Sequence, residues 1–65
     1  MMKLFRRYRV EGWKPDSRFV VRGPDRSSQS SVFRDLHKMR EEVPERMIYF
    51  IRILHGDEVI YEEEA

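Results

Sequence analysis

The chain contains no cysteine, which excludes disulfide bonds and cysteine-ligated zinc or iron–sulfur centres. Its three glycines, at positions 12, 23 and 56, are isolated and form no phosphate-binding loop. The longest apolar run, Met47 to Ile51, is much shorter than the roughly 20 residues of a membrane-spanning helix. The N-terminus also lacks the charged-then-apolar pattern of a signal peptide. We therefore expect a soluble, cytoplasmic protein with no membrane contact.

Groups that could carry out catalysis are scarce. The chain has no threonine, and turn or cap positions account for its serines at 17, 27, 28, 30 and 31. Nothing in the sequence brings His37 or His55 near a serine. His37 and Glu41 have the i, i+4 spacing of helical metal ligands, but two ligands do not complete a site. We expect no catalytic activity, no metal and no cofactor.

The length of 65 residues predicts one domain, residues 1–65. A chain this short buries only about 60% of the surface that its unfolded form exposes, so a partner would add useful stability.

Charge is divided along the chain. Residues 1–40 contain 11 Lys or Arg and 4 Asp or Glu, whereas residues 41–65 contain 2 and 8, so a net charge of +7 precedes one of −6. Ten of the 13 cations are arginine, which pairs with carboxylate or phosphate through a planar fork and stacks on aromatic rings. The asymmetry suggests a binding surface.

Alternation with period two predicts a first strand over Leu4 to Glu11. Gly12 and the segment from Lys14 to Ser17 predict a turn, and Arg18 to Arg22 a second strand. The short spacing indicates an antiparallel hairpin.

A helix follows, with Ser28 or Ser30 as its N-cap. Apolar residues three and four apart form one stripe on it: Val32, Phe33, Leu36, Met39 and Val43. Pro44 disfavours helical geometry at the preceding residue, so the helix is predicted to end near Glu42 or Val43.

The third strand is predicted over Met47 to Leu54, apolar on both faces and therefore central. A turn at His55 to Asp57 and a last strand over Glu58 to Glu62 complete a second hairpin, with Glu63 to Ala65 fraying. The predicted fold is α+β, ββαββ, a four-stranded antiparallel sheet of order 2-1-3-4 with one helix packed on one face.

Two functions from different classes fit this plan. The first is binding of nucleic acid (RNA or DNA) or another phosphate-bearing anion by the basic, aromatic N-terminal hairpin, through Phe5, Arg7, Arg9, Trp13, Arg18 and Arg22. The competing interpretation is a solvated face whose arginine stems cover apolar surface.

The alternative is a protein-interaction or inhibitor module. One helix covers only one side of the sheet, which leaves Ile48, Phe50 and Leu54 on the other side as an interface, with a homodimer as the expected assembly. The competing interpretation is that neighbouring side chains cover this patch. In style the chain resembles short open reading frames of viruses and compact genomes, although no motif carries that likeness.

Overall fold

The computed structural model describes residues 7–16 and 18–65. Its elements are β1 (Tyr8–Trp13), β2 (Phe19–Arg22), α1 (Gln29–Arg46), β3 (Phe50–His55) and β4 (Glu58–Glu64). The four strands form one antiparallel sheet of order β2-β1-β3-β4, and α1 packs on β1 and β3. The predicted ββαββ fold and strand order are confirmed. The part of the first strand predicted before residue 7 lies outside the described residues.

The core is formed by the apolar residues that alternate along β1 and β3 and by the apolar stripe of α1. Val10, Ile51 and Ile53 point from the sheet toward the helix, which contributes Val32, Leu36 and Met39, and all are buried. Ser28 caps the helix, because its hydroxyl oxygen accepts the Ser31 N–H at 3.3 Å. The N-cap and the apolar stripe were both predicted from the sequence.

The helix ends later than predicted. It continues through Pro44 to Arg46, and Met47 ends it in the left-handed region at φ 57° while donating its N–H to the Val43 carbonyl at 2.9 Å. Pro44 lies in the last turn, where its missing N–H leaves the Arg40 carbonyl without the usual i−4 donor. Val43 packs partly buried against the core, which holds this turn in place.

The later helix end also moves the third strand. β3 begins at Phe50 rather than Met47, and β4 continues to Glu64 rather than fraying after Glu62. The β4 extension is held by pairing with β3 and by an Ala65 N–H donated to the Tyr49 carbonyl at 2.8 Å. Within the described residues, no helix is both long and apolar enough to cross a bilayer.

Gly12 lies inside β1 and not in the predicted turn. The side chain of Ile48 occupies the space that a Cβ at this position would need. A Cβ at Gly12 would lie 2.9 Å from Ile48 Cδ1 and 3.0 Å from its Cγ1. We expect Gly12→Ala to lower the free energy of unfolding by about 1–3 kcal/mol through overpacking, measured by urea denaturation. Ile48→Val removes Cδ1, so Gly12→Ala should cost less in that background. An equal cost in both backgrounds would contradict the steric explanation.

Candidate interaction surface on the open sheet face

The side chains that alternate with the core residues point away from α1. We call this surface the open face; its members, assigned by strand register, are Arg9, Glu11, Trp13, Phe19, Arg22, Phe50, Arg52, Leu54, Val59, Glu62 and Glu64. Among residues 7–16 and 18–65, every helix and strand lies either in the sheet or on its other side.

Trp13 is the last residue of β1, at one end of the open face, and three side chains contact it. Its indole N–H donates to Glu11 Oε1 at 3.0 Å. The Arg52 guanidinium carbon lies 5.1 Å from the centre of the Trp13 ring, within cation–π distance. Phe19 meets the same ring edge-on, with ring centres 5.6 Å apart at 76°. The chain therefore fixes its only tryptophan in one orientation on the surface.

Glu11 is the polar centre of this arrangement. It is only 6% exposed, and besides the indole N–H it accepts a hydrogen bond from Arg9 Nε at 2.7 Å. Arg9 also donates from Nη1 to the Gly56 carbonyl at 2.9 Å. Because a buried carboxylate needs such partners, Glu11 joins an arginine and an aromatic ring into one unit.

Arg52 lies across the register from Glu11 and is less well satisfied. Its nearest carboxylate oxygen, Glu62 Oε2, is 3.5 Å from Nε. Within the part of the chain that the structure describes, Arg52 Nε is the one buried side-chain nitrogen or oxygen without a hydrogen-bond partner. The Arg52 side chain as a whole is 27% exposed, so its guanidinium borders the open face although Nε itself is covered.

The predicted anion-binding residues are only partly brought together. Arg9, Trp13 and Arg22 share the open face, whereas Arg18 lies just before β2 and Arg7 just before β1, and both are exposed. Phe5 lies outside the described residues.

Carboxylates also neutralise much of this group. Arg22 pairs with Asp25 at 2.6 Å, and Arg18 with Asp16 at 3.3 Å. The hairpin therefore presents less unpaired positive charge than the net +7 of residues 1–40 suggests.

The predicted interface set needs one correction. Phe50 and Leu54 lie on the open face, although Leu54 is only 8% exposed there. Ile48 is 4% exposed within the core and fills the space beside Gly12. Ile48 precedes β3, because the helix continues to Arg46 and Met47 adopts a left-handed conformation. The strand alternation that would place it beside Phe50 therefore does not reach it.

Sequence reasoning did not assign a site role to Glu11, Phe19, Arg52 or Glu62. The alternation did place Glu11 with Arg9 and Arg52 with Phe50, so the signal for two of these residues was present. The sequence pattern does not give the strand register, which sets Glu11 opposite Arg52 and Arg52 opposite Glu62.

A second cluster of polar groups lies on the helix side. Glu63 accepts hydrogen bonds from Arg40 at 2.6 and 2.8 Å and from the Tyr61 hydroxyl at 2.7 Å. The hydrogen bond from Arg40 is the main cause that lowers the pKa of Glu63 from 4.5 to about 2. This cluster ties the last strand to the helix.

The lowered pKa predicts a pH dependence of stability. A carboxyl whose folded pKa is below its unfolded pKa stabilises the fold fully above about pH 4.5 and loses this effect as the pH falls toward about 2. We therefore expect the stability difference between wild type and Glu63→Gln to shrink over that range, measured by urea denaturation at several pH values. Glu45→Gln, at an exposed helix position, is the control and should show no such trend. A pH-independent difference for Glu63→Gln would contradict the assignment.

Across the described ranges, no three His, Asp or Glu side chains come together as metal ligands would. His37 instead lies beside an arginine, with its Nδ1 3.1 Å from Arg40 Nη1. Comparison of the chain with protein-family models, with curated proteins and with solved structures finds no match. The open face is therefore the feature of the molecule from which a function can be inferred.

Proposed function

We propose that this protein is a non-enzymatic interaction module that binds a protein partner through the open face. The observation that supports this most is Trp13, which contacts Glu11, Arg52 and Phe19 on the face of the sheet opposite the helix. Tryptophan and arginine dominate the energetic centres of protein interfaces, and a side chain that is already fixed loses little entropy on binding. The absence of cysteine is compatible with action in the cytoplasm.

The charges of the open face favour a protein over a polyanion. Arg9 and Arg52 are accompanied by Glu11 and Glu62, at 2.7 and 3.5 Å, and Glu64 lies opposite Phe50. A phosphate backbone laid across this face would meet those carboxylates, whereas a protein surface supplies both signs of charge.

A photo-reactive phenylalanine analogue at Val59, an exposed member of the open face, tests the proposal in cells that naturally produce the protein. We expect protein adducts of discrete mass, which Trp13→Ala abolishes while the circular dichroism spectrum is retained. The same analogue at Glu45, on the exposed surface of the helix, is the control and should give none of these adducts. Absence of adducts from position 59, or adducts that Trp13→Ala leaves unchanged, would contradict a protein-binding face.

A second candidate is binding of RNA or DNA, favoured by the exposure of β2. Phe19 is 46% exposed, and the side chains of Arg18 and Arg22 are 69% and 49% exposed on either side of it. An exposed ring between guanidinium groups offers base stacking together with phosphate contacts.

Titration with labelled RNA and DNA at two salt concentrations tests this candidate. Affinity should fall steeply with salt and should weaken in Arg18→Ala and Arg22→Ala more than in Arg34→Ala, which removes an exposed helix charge. No binding at low salt would reject it.

A further inference from the structure

We infer that the partner of the open face is a second copy of this chain, related by a two-fold axis that runs parallel to the strands. The inference rests on the proposed function and names its partner. It follows from the order of charges across the sheet.

The open face is organised in rows that run across the strands. The register gives one row of mostly charged residues, in the order Arg22, Glu11, Arg52 and Glu62. The next row contains Phe19, Trp13, Phe50 and Glu64 in the same strand order. Each row therefore differs at its two ends: the β2 end is basic or aromatic, and the β4 end is acidic.

A two-fold axis parallel to the strands reverses the strand order of the second sheet but keeps the level along the strands. It places β2 over the partner's β4 and β1 over the partner's β3, as in aligned sheet packing with faces about 10 Å apart. Arg22 then faces the partner's Glu62, and Glu11 faces the partner's Arg52. In the neighbouring row Trp13 faces the partner's Phe50.

Other arrangements of two copies are less complementary. A two-fold axis across the strands sets each strand over its own copy and reverses the level along the strands. An axis through the charged row places Arg22 opposite the partner's Arg22 and Glu62 opposite the partner's Glu62, and an axis between the two rows places Glu62 opposite the partner's Glu64. Like charges set opposite one another oppose association. The charge order of the row therefore selects the axis along the strands.

The balance of charge allows two such faces to approach. Among the described residues the open face carries three arginines and three glutamates, so it does not repel a copy of itself. Arg22 and Glu62, at the two ends of the charged row, are exposed and are therefore the members of the row that a second face can reach.

Exchange of one charge pair tests this geometry. Arg22 and Glu62 lie on opposite edges of the four-stranded sheet, about 14 Å apart at ordinary strand spacing, so they cannot pair within one chain. Arg22→Glu and Glu62→Arg each create two like-charge contacts in the symmetric dimer, and each should raise the dimer dissociation constant about tenfold or more. Arg22→Glu/Glu62→Arg restores opposite charges across the axis and should recover most of the affinity.

Sedimentation equilibrium over a concentration series measures the effect. Wild type should change from the 8.0 kDa monomer to twice that mass as concentration rises, with Glu45→Arg as the matched charge-reversal control that leaves the transition in place. A strict monomer, single variants that dimerise like wild type, or a double variant without recovery would each overturn the inference. The adducts from position 59 distinguish failure of the dimer from failure of the proposed function. An adduct with a different protein would support the proposed function and contradict the dimer, whereas the absence of any protein adduct would contradict both.

Discussion

Leu36→Ala should remove a large share of the free energy of unfolding. Leu36 is 1% exposed and projects from α1 into the core that the helix shares with β1 and β3. Removing a buried leucine side chain costs about 2–5 kcal/mol through lost transfer energy and the cavity left behind. A domain of 65 residues has a total stability of only about 3–10 kcal/mol, so the loss is comparable to the whole.

Circular dichroism and urea denaturation measure this outcome, at one fixed protein concentration because association adds to apparent stability. Leu36→Met keeps the volume and should cost less than about 1.5 kcal/mol. Lys38→Ala, at an exposed position of the same helix, should change stability by less than about 0.5 kcal/mol. A Leu36→Ala variant within about 1 kcal/mol of wild type would show that the helix does not hold the sheet as described.

Most of the fold followed from local patterns in the sequence. The period-two alternation around Val10 and the stripe through Leu36 each specify one buried face, and short connections leave few ways to join the elements. The errors fall where tertiary packing overrides a local rule. Pro44 predicted an early helix end, but the packing of Val43 and the left-handed Met47 carry the helix to Arg46.

That single boundary error explains the misplacement of Ile48. Extending a strand backward from Phe50 puts Ile48 on the open face, because side chains alternate with period two. In the structure the strand has not yet begun at Ile48, so its side chain is free to fill the space beside Gly12.

The open face was harder to predict than the core. Its hydrophobic and aromatic members follow from alternation, but its polar contacts depend on which residues lie opposite across two strand pairs. Glu11 and Arg52 are 41 positions apart, and only the β1–β3 register makes them neighbours. The net positive charge of residues 1–40 likewise does not reveal that Arg9, Arg18 and Arg22 each have a carboxylate partner.

Glu11→Ala should have the largest effect on the open face itself. The substitution removes the acceptor of the Trp13 indole N–H and the carboxylate that pairs with Arg9 at 2.7 Å. A polar group left unsatisfied in a buried place costs about 1–3 kcal/mol, so the free energy of unfolding should fall by that amount. Trp13 should also lose its fixed orientation, which removes the preorganisation on which association through this face depends.

Glu11→Gln separates the two effects, because its amide oxygen still accepts the indole N–H while the negative charge is lost. We expect Glu11→Gln to keep the Trp13 fluorescence of wild type and to lose less stability than Glu11→Ala. In the proposed dimer both variants remove the charge that faces the partner's Arg52, so both should weaken dimerisation in sedimentation. If Glu11→Ala left stability, tryptophan fluorescence and association all unchanged, then Glu11 would not be the residue that organises this face. The amide variant also distinguishes positioning from charge: unchanged fluorescence with weakened association shows that the carboxylate acts across the interface as well as within the chain.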